Sequence, residues 1–226
     1  MISIIVPVLN EQEYIVPFTN QLLKLKGEYE FIFVDGGSTD QTAKTIKNQG
    51  FDCLDSDQGR AKQMNFGAKQ AKGNYLLFLH VDLTFPINFN EVLQQLITIE
   101  TSFANFKLAF DYSHWFLKIN AVFSHLSFTP FQFGDQGLWV AKELFEKVNG
   151  FNESMVLLED QDIVKRLKVY TPLQKTNAKL TVSSRKYLKY GIFKLQFIYF
   201  YIYTQYRLGK SQSQLKSKME YLLRTN

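Results

Sequence analysis

The chain opens on an apolar run from Ile2 to Pro7, broken only by Ser3. A run this short, continuous and β-branched predicts a strand buried on both faces. Pro17 predicts a helix start near Val16, and Gly27 marks its end. Glu30–Val34 reads as a second strand. Ser38 or Asp40 then caps a helix that ends near Gln49-Gly50. Phe51–Leu54 predicts a short third strand, Arg60–Ala71 a helix stopped at Gly73, and Tyr75–Leu79 a fourth strand. The second half is less regular. It suggests helices over Phe89–Ile99, Ser113–Leu126 and Glu159–Val169, a strand over Phe103–Tyr112, and two helices either side of Gly209.

The βαβαβαβ order of the first 80 residues implies a mostly parallel sheet with helices on both faces. Such sheets bind ligands at the carboxyl ends of their strands. Polar clusters stand at those ends: Asn10-Glu11, Asp35-Gly-Gly-Ser-Thr-Asp40, Asp55-Ser-Asp57 and His80-Val-Asp82. Carboxylates gathered on one rim repel unless a cation or hydrogen-bond donors compensate them.

Composition narrows the class. The 226 residues, 46% of them apolar and 21% charged, suit one globular domain and exclude a disordered chain. The mean hydropathy of −0.16 argues against a polytopic membrane protein. Cys53 is the single cysteine, which excludes an intramolecular disulfide and points to a reducing, cytoplasmic compartment. The first residues lack the basic region and cleavage site of a secretory leader. From Arg185 onward nine basic residues face Glu220 alone, a net +8, so the whole-chain +5 leaves −3 on the residues before it. The same tail holds the apolar run Phe197–Tyr203. Basic and aromatic together suggest an anionic membrane surface, on its inner face, or a partner. A packed helix with a solvated basic face is the plainer alternative. The acidic first part argues against nucleic acid.

Several motifs together resemble glycosyltransferase family 2. Ile4–Glu11 is similar to its opening strand and loop, and Val34–Asp40 to its second nucleotide-binding loop. Gly59–Ala68 resembles its third block, and Leu77–Asp82 stands where its metal-binding DXD element lies. Leu158-Glu-Asp160 resembles its late acidic motif. The combination of Gly59–Asn65, Leu79-His80 with Asp82, Gly134-Asp-Gln136 and Ser184-Arg185 is similar to a small bacterial subgroup, the radical-SAM-associated glycosyltransferases. The resemblance implies a GT-A fold across 1–226. Residues 1–100 would form a nucleotide-binding half, 101–184 an acceptor and catalytic half, and 185–226 a basic aromatic helical extension.

It further implies an inverting transfer of sugar from a nucleotide-diphosphate donor, uridine being the family guess, to an acceptor hydroxyl that includes the lipid-linked kind. Asp160 matches the general base, with Asp162 as runner-up, since an alcohol is a poor nucleophile at neutral pH. Asp82 matches the ligand of a divalent cation, Mg²⁺ or Mn²⁺. His80 replaces the usual first Asp of DXD and reads as structural. Pro7, Asn10, Glu11, Asp35, Gly36, Arg60, Asn65 and Arg185 are expected at the nucleotide, and Asp135, Gln136 and Glu159 at the acceptor.

Each assignment has a plainer counterpart. Asp35 suits a turn, Asp40 a helix cap or loop brace, and Glu11 a first-turn helix acid. Asn65 can tie loops together, and Arg185 can pair with the acidic rim or fork onto a diphosphate. Trp115, Phe116, Phe128, Phe131 and Phe133 suit an acceptor sugar, a lipid groove or plain core. His114 and His125 form no recognisable metal pair. A nucleotidyltransferase would want a basic glycine-rich first loop, and this one is acidic. A non-catalytic nucleotide-sugar binder would not need Asp82 and Asp160.

Overall fold

The computed structural model describes residues 1–126 and 134–224. The parallel half forms as the pattern predicts: β1 (Ile2–Val8), α1 (Gln12–Leu22), β2 (Tyr29–Asp35), α2 (Thr42–Asn48), β3 (Cys53–Asp55), α3 (Arg60–Gln70) and β4 (Tyr75–Phe78). β1 pairs in parallel with β2 and β4, and β2 with β3. One boundary differs. α1 begins at Gln12 and carries Pro17 in its interior, with Glu13 exposed one turn earlier. The carbonyl that loses its partner to proline therefore faces solvent, which is why the helix continues.

The rest of the chain makes the sheet mixed, adding both parallel and antiparallel strands. It contains β5 (Leu83–Thr84), α4 (Phe89–Thr98), β6 (Phe103–Phe110), α5 (Trp115–Phe123), a 3₁₀ turn (Gly134–Gln136), β7 (Leu138–Ala141), α6 (Lys142–Lys147), α7 (Glu159–Leu167), β8 (Gln174–Val182), α8 (Arg185–Tyr190), α9 (Ile192–Arg207) and α10 (Gln212–Arg224). The eight strands lie in the order β3-β2-β1-β4-β7-β6-β8-β5. β7 is antiparallel to both neighbours, and β5 closes the edge antiparallel to β8. β5, β7, α6 and β8 were not anticipated. Gly191, at φ +86, splits the first expected C-terminal helix into α8 and α9.

Both faces of the sheet are covered, because strand residues alternate between two cores. Ile2, Ile4, Val6 and Val8 pack with Phe18, Leu22, Leu93 and Leu96 on one side. Ile5 packs with Met64, Phe145, Ile163 and Leu167 on the other. The C-terminal helices share a smaller core, Ile198, Ile202 and Leu215. Gln212 fastens α10 to the domain by accepting from the backbone N–H groups of Val156 and Leu157.

Pro7 sits in a strand with neighbours on both sides. It is tolerated because pairing with β4 ends at Ile5, where Leu79 donates to the Ile5 carbonyl. In a parallel ladder residues 5 and 7 face the same neighbour, so the missing N–H falls where that neighbour has already left. There the chain turns away into His80–Asp82.

Candidate functional site

The loops after β1 and β2 are stitched together before any ligand arrives. Asn10, in the left-handed region at φ +54, accepts from the Thr39 N–H at 2.8 Å, and its own N–H reaches Ser38 Oγ at 2.9 Å. The Glu11 N–H donates to Thr42 Oγ1. Asp35 is buried and holds Ser38 with both oxygens, while Asp40 braces Thr42. Beneath them Gln63 donates to the carbonyls of Val8 and Val34, both at 2.8 Å, tying the two strand ends.

Arg185, at the start of α8, reaches this rim from the far end of the chain. Its Nη2 lies 2.8 Å from Glu11 Oε1 and 3.2 Å from Asp82 Oδ2, and its guanidinium stacks on Tyr14 at 4.2 Å. The other oxygen of Glu11, Oε2, is buried with no hydrogen-bond partner. Two carboxylates converging on one point, with one oxygen orphaned, are hard donors of the kind Mg²⁺ and Mn²⁺ prefer. Among the described residues no group of three or more His, Cys, Asp or Glu side chains forms a complete cage. The donor set therefore fits a cation that takes its remaining ligands from a diphosphate and water.

A second cluster lies where the 3₁₀ turn meets α7. The residue before α7, Leu158, has φ +67, a conformation that costs a branched side chain about 1–3 kcal/mol. This abrupt entry puts Glu159 and Asp160 in the first turn. Glu159 is buried and paired with Arg60 Nη1 at 3.1 Å; Asp160 Oδ2 is 4.0 Å from the same nitrogen. Gly59, at φ +140, starts α3 so that Arg60 stands in its first turn. Burial, reinforced by the neighbouring Glu159 charge, holds the Asp160 carboxyl well above the ordinary carboxylate range; Arg60 opposes the shift. His80 stays neutral, held down first by burial and then by Arg60. A Cβ on residue 134 would lie 2.5 Å from Asp160 Oδ2 and 2.6 Å from His80 Nε2. Glycine there is what allows the turn, the acid and the imidazole to meet.

The structure therefore brings Glu11, Asp82 and Arg185 to one point, and Arg60, Glu159 and Asp160 to another, with the Asp135 charge felt at Asp160. Three residues expected at ligands make structural contacts. Asn65 is buried in α3 and bonds both the N–H and the carbonyl of Phe151, as well as Glu153, the loop-tying alternative read from the sequence. Gln136 is fully buried, and its oxygen accepts from Asn105 and Lys175. Glu159, also buried, anchors Arg60. Pro7 is buried in β1, and Gly36 returns its N–H to the Val8 carbonyl. Asp162 pairs with Arg166 at 2.8 Å, four residues on. His114 caps α5 by accepting from the Phe116 N–H. Phe128, Phe131 and Phe133 lie outside the described residues.

Other participants left no readable signal in the sequence. Lys175 on β8 is half-buried under the 3₁₀ turn, and burial pushes its ammonium down to about 7. Tyr187 and Tyr199, from α8 and α9, are raised first by burial and also by the Asp135 charge. Only the tertiary fold places them.

Comparison with known proteins agrees with this architecture. The family description "Glycosyl transferase family 2" matches residues 3–135. A poly(ribitol-phosphate) β-N-acetylglucosaminyltransferase, TarS, of Staphylococcus aureus is 36% identical over 90 residues, covering 35% of this chain and 16% of that protein. An undecaprenyl-phosphate 4-deoxy-4-formamido-L-arabinose transferase of Proteus mirabilis is 30% identical over 97 residues, covering 38% of this chain and 30% of its own length. This chain thus spans under a third of either relative. Among solved structures, S. aureus TarS 1–349 with UDP-GlcNAc superposes at TM-score 0.62 and 18% identity, over 80% of this chain and 58% of that one. The mannosyltransferase PcManGT of Pyrobaculum calidifontis, with GDP-Man and Mn²⁺, gives TM-score 0.66 and 14% identity, over 98% and 69%. Both share the GT-A type of sheet and helices described above. With more than half its length matched, the chain belongs to glycosyl transferase family 2.

Proposed function

We propose that this chain transfers a sugar from a nucleoside diphosphate donor to an acceptor hydroxyl, with inversion at the anomeric carbon. The observation that carries the reading is a buried carboxyl of raised proton affinity, Asp160, 4.0 Å from Arg60. The acceptor oxygen bonds to C1 of the sugar from the side opposite the diphosphate, and its proton passes to Asp160. The C1–oxygen bond to the diphosphate breaks, and its electron pair leaves with the nucleotide. Arg60, half-exposed, and Arg185 supply donors to phosphate oxygens. When bound, a divalent cation held by Asp82 with Glu11 neutralises charge on the leaving group. Asn10, Asp35 and Gly36 frame the nucleotide, and Asp135 faces the acceptor.

The solved relatives support a nucleotide-sugar donor, since one holds UDP-GlcNAc and the other GDP-Man. The relative named for undecaprenyl phosphate supports a lipid-linked acceptor, and with it work at the inner face of a membrane. The narrower kinship with radical-SAM-associated transferases rests on the motifs from Gly59 to Arg185.

Calorimetric titration with UDP and with GDP, each with and without Mn²⁺, tests the reading. Metal-dependent binding of one nucleotide, lost in Asp82→Ala, is the expected result. A folded protein that binds neither overturns it.

A further inference from the structure

Among the described residues, α5 and α9 leave a continuous apolar surface exposed. In α5 and the turn after it, Trp115, Ile119, Val122 and Leu126 are all exposed at helical spacing, Trp115 by 61%. In α9, Phe193, Phe197 and Phe200 form a second stripe, exposed by 56, 64 and 65%. Phe116 meets Phe193, and Asn120 bonds Gln196 at 2.8 Å, so the two helices run side by side in the same direction. The rings of Trp115 and Phe193, 6.0 Å apart, join the stripes. Leu188 on α8 adds to the patch. The buried side of α9, Leu195, Ile198 and Ile202, already satisfies its packing. Monomeric soluble proteins rarely leave so many large apolar side chains together in water.

The charge around this face is mainly basic, although Asp111, which accepts from the Ser184 N–H at the start of α8, borders it. Between Asp162 and Glu220 the sequence has no Asp or Glu and 13 Lys or Arg residues. Lys118 lies within the α5 stripe, and Lys186 and Lys189 stand exposed on α8. A second copy of such a face would meet it with like charge, whereas an anionic bilayer offers both the apolar phase and the opposite charge. Among the described residues no helix is long and apolar enough to cross a membrane.

We propose that the face formed by α5 and α9, flanked by α8, docks on the surface of an anionic phospholipid bilayer, its aromatic side chains entering the headgroup region. Docking would bring the domain to the surface that carries a lipid-borne acceptor; that last point rests on the transfer reading, whereas docking itself does not.

Flotation of the full chain with vesicles of phosphatidylcholine, with and without phosphatidylglycerol, tests the proposal. Binding is expected with phosphatidylglycerol and is expected to fall at high salt. Brominated lipid is expected to quench Trp115, leaving the signal of the fully buried Trp139, read in Trp115→Phe, unchanged. The pair Phe197→Ser and Phe200→Ser is expected to weaken binding by about tenfold or more with an unaltered thermal midpoint. Lys186→Gln and Lys189→Gln are each expected to weaken it roughly fivefold. Absence of flotation with anionic vesicles, equal binding by the serine pair, or a solution dimer that the serine pair dissociates overturns it. Loss of nucleotide binding would overturn the transfer reading and leave the vesicle result standing.

Discussion

Arg185 and Asp82 are 103 residues apart in sequence and 3.2 Å apart in space, Nη2 against Oδ2. The same nitrogen serves Glu11, so a protein cation stands where a metal cation and a diphosphate are proposed to bind. Removing its charge frees both carboxylates and deletes a phosphate donor. Arg185→Gln is therefore expected to bind Mn²⁺ alone about tenfold more tightly and the nucleoside diphosphate about tenfold more weakly, one charge-assisted hydrogen bond in each direction. Electron paramagnetic titration of Mn²⁺ and calorimetry of the nucleotide read the two effects separately.

The pH dependence of turnover follows from the neighbours of Asp160. With Asp160 as the proposed base, active when ionised, activity is expected to rise as pH climbs through its pKa, which burial and Glu159 have raised. Glu159→Gln removes a negative neighbour and is expected to move the rising limb of kcat/KM to lower pH. Arg60→Gln removes a positive neighbour and is expected to move it to higher pH. Shifts of the same sign in both variants would exclude Asp160 as the group observed.

Asp160 also makes the fold sensitive to pH in a direction unusual for an aspartate. The folded chain holds this proton more tightly than the unfolded chain, so its contribution favours folding at low pH. That contribution is lost as pH rises from the unfolded value, about 3.9, through the raised folded one. Asp160→Asn removes the titration. Its thermal midpoint is expected to exceed that of the parent by a margin that grows between acid and neutral pH, while turnover collapses.

Gly134→Ala is expected to fold yet lose activity. The added methyl would overlap both Asp160 and His80, and the 3₁₀ turn must shift to admit it. A displacement on the order of 1 Å costs about a hundredfold in rate. Steady-state kinetics with circular dichroism as the control checks this.

The parallel half of the sheet was legible because its strands announce themselves. β1 is apolar at nearly every position, and α3 is bounded by Gly59 and Gly73. β8 was hidden although it alternates strictly. Its inward positions include Thr176 and Ala178, which are weakly apolar, and its outward positions include Lys179. β7 is four residues long, too short to show a period. The rim residues Glu11, Asp82 and Arg185 were legible one by one from the motifs. That Arg185 can pair with the acidic rim was legible too; which two carboxylates it joins was not, because sequence patterns do not encode a contact across 174 positions. Gln136 and Glu159 read toward ligands because they are polar within motifs, and Asn65 reads either that way or as a tie between loops. Each satisfies buried backbone or a buried partner, which burial makes obligatory.

The pairing of β5 with β8 orders events in time. Leu83 and Thr84 directly follow Asp82, and their sheet partners are Val182 and Thr181. A nascent chain that has not yet delivered β8 has β1 to β4 and the Gln21 bonds to Leu83 and Phe85, but not the sheet partner of the segment bearing Asp82. Arg185 emerges three residues after that partner. The nucleotide loops can thus form early, while the charged rim matures only when nearly the whole chain has been made. A truncated product would fold part of the sheet without acquiring a competent donor site.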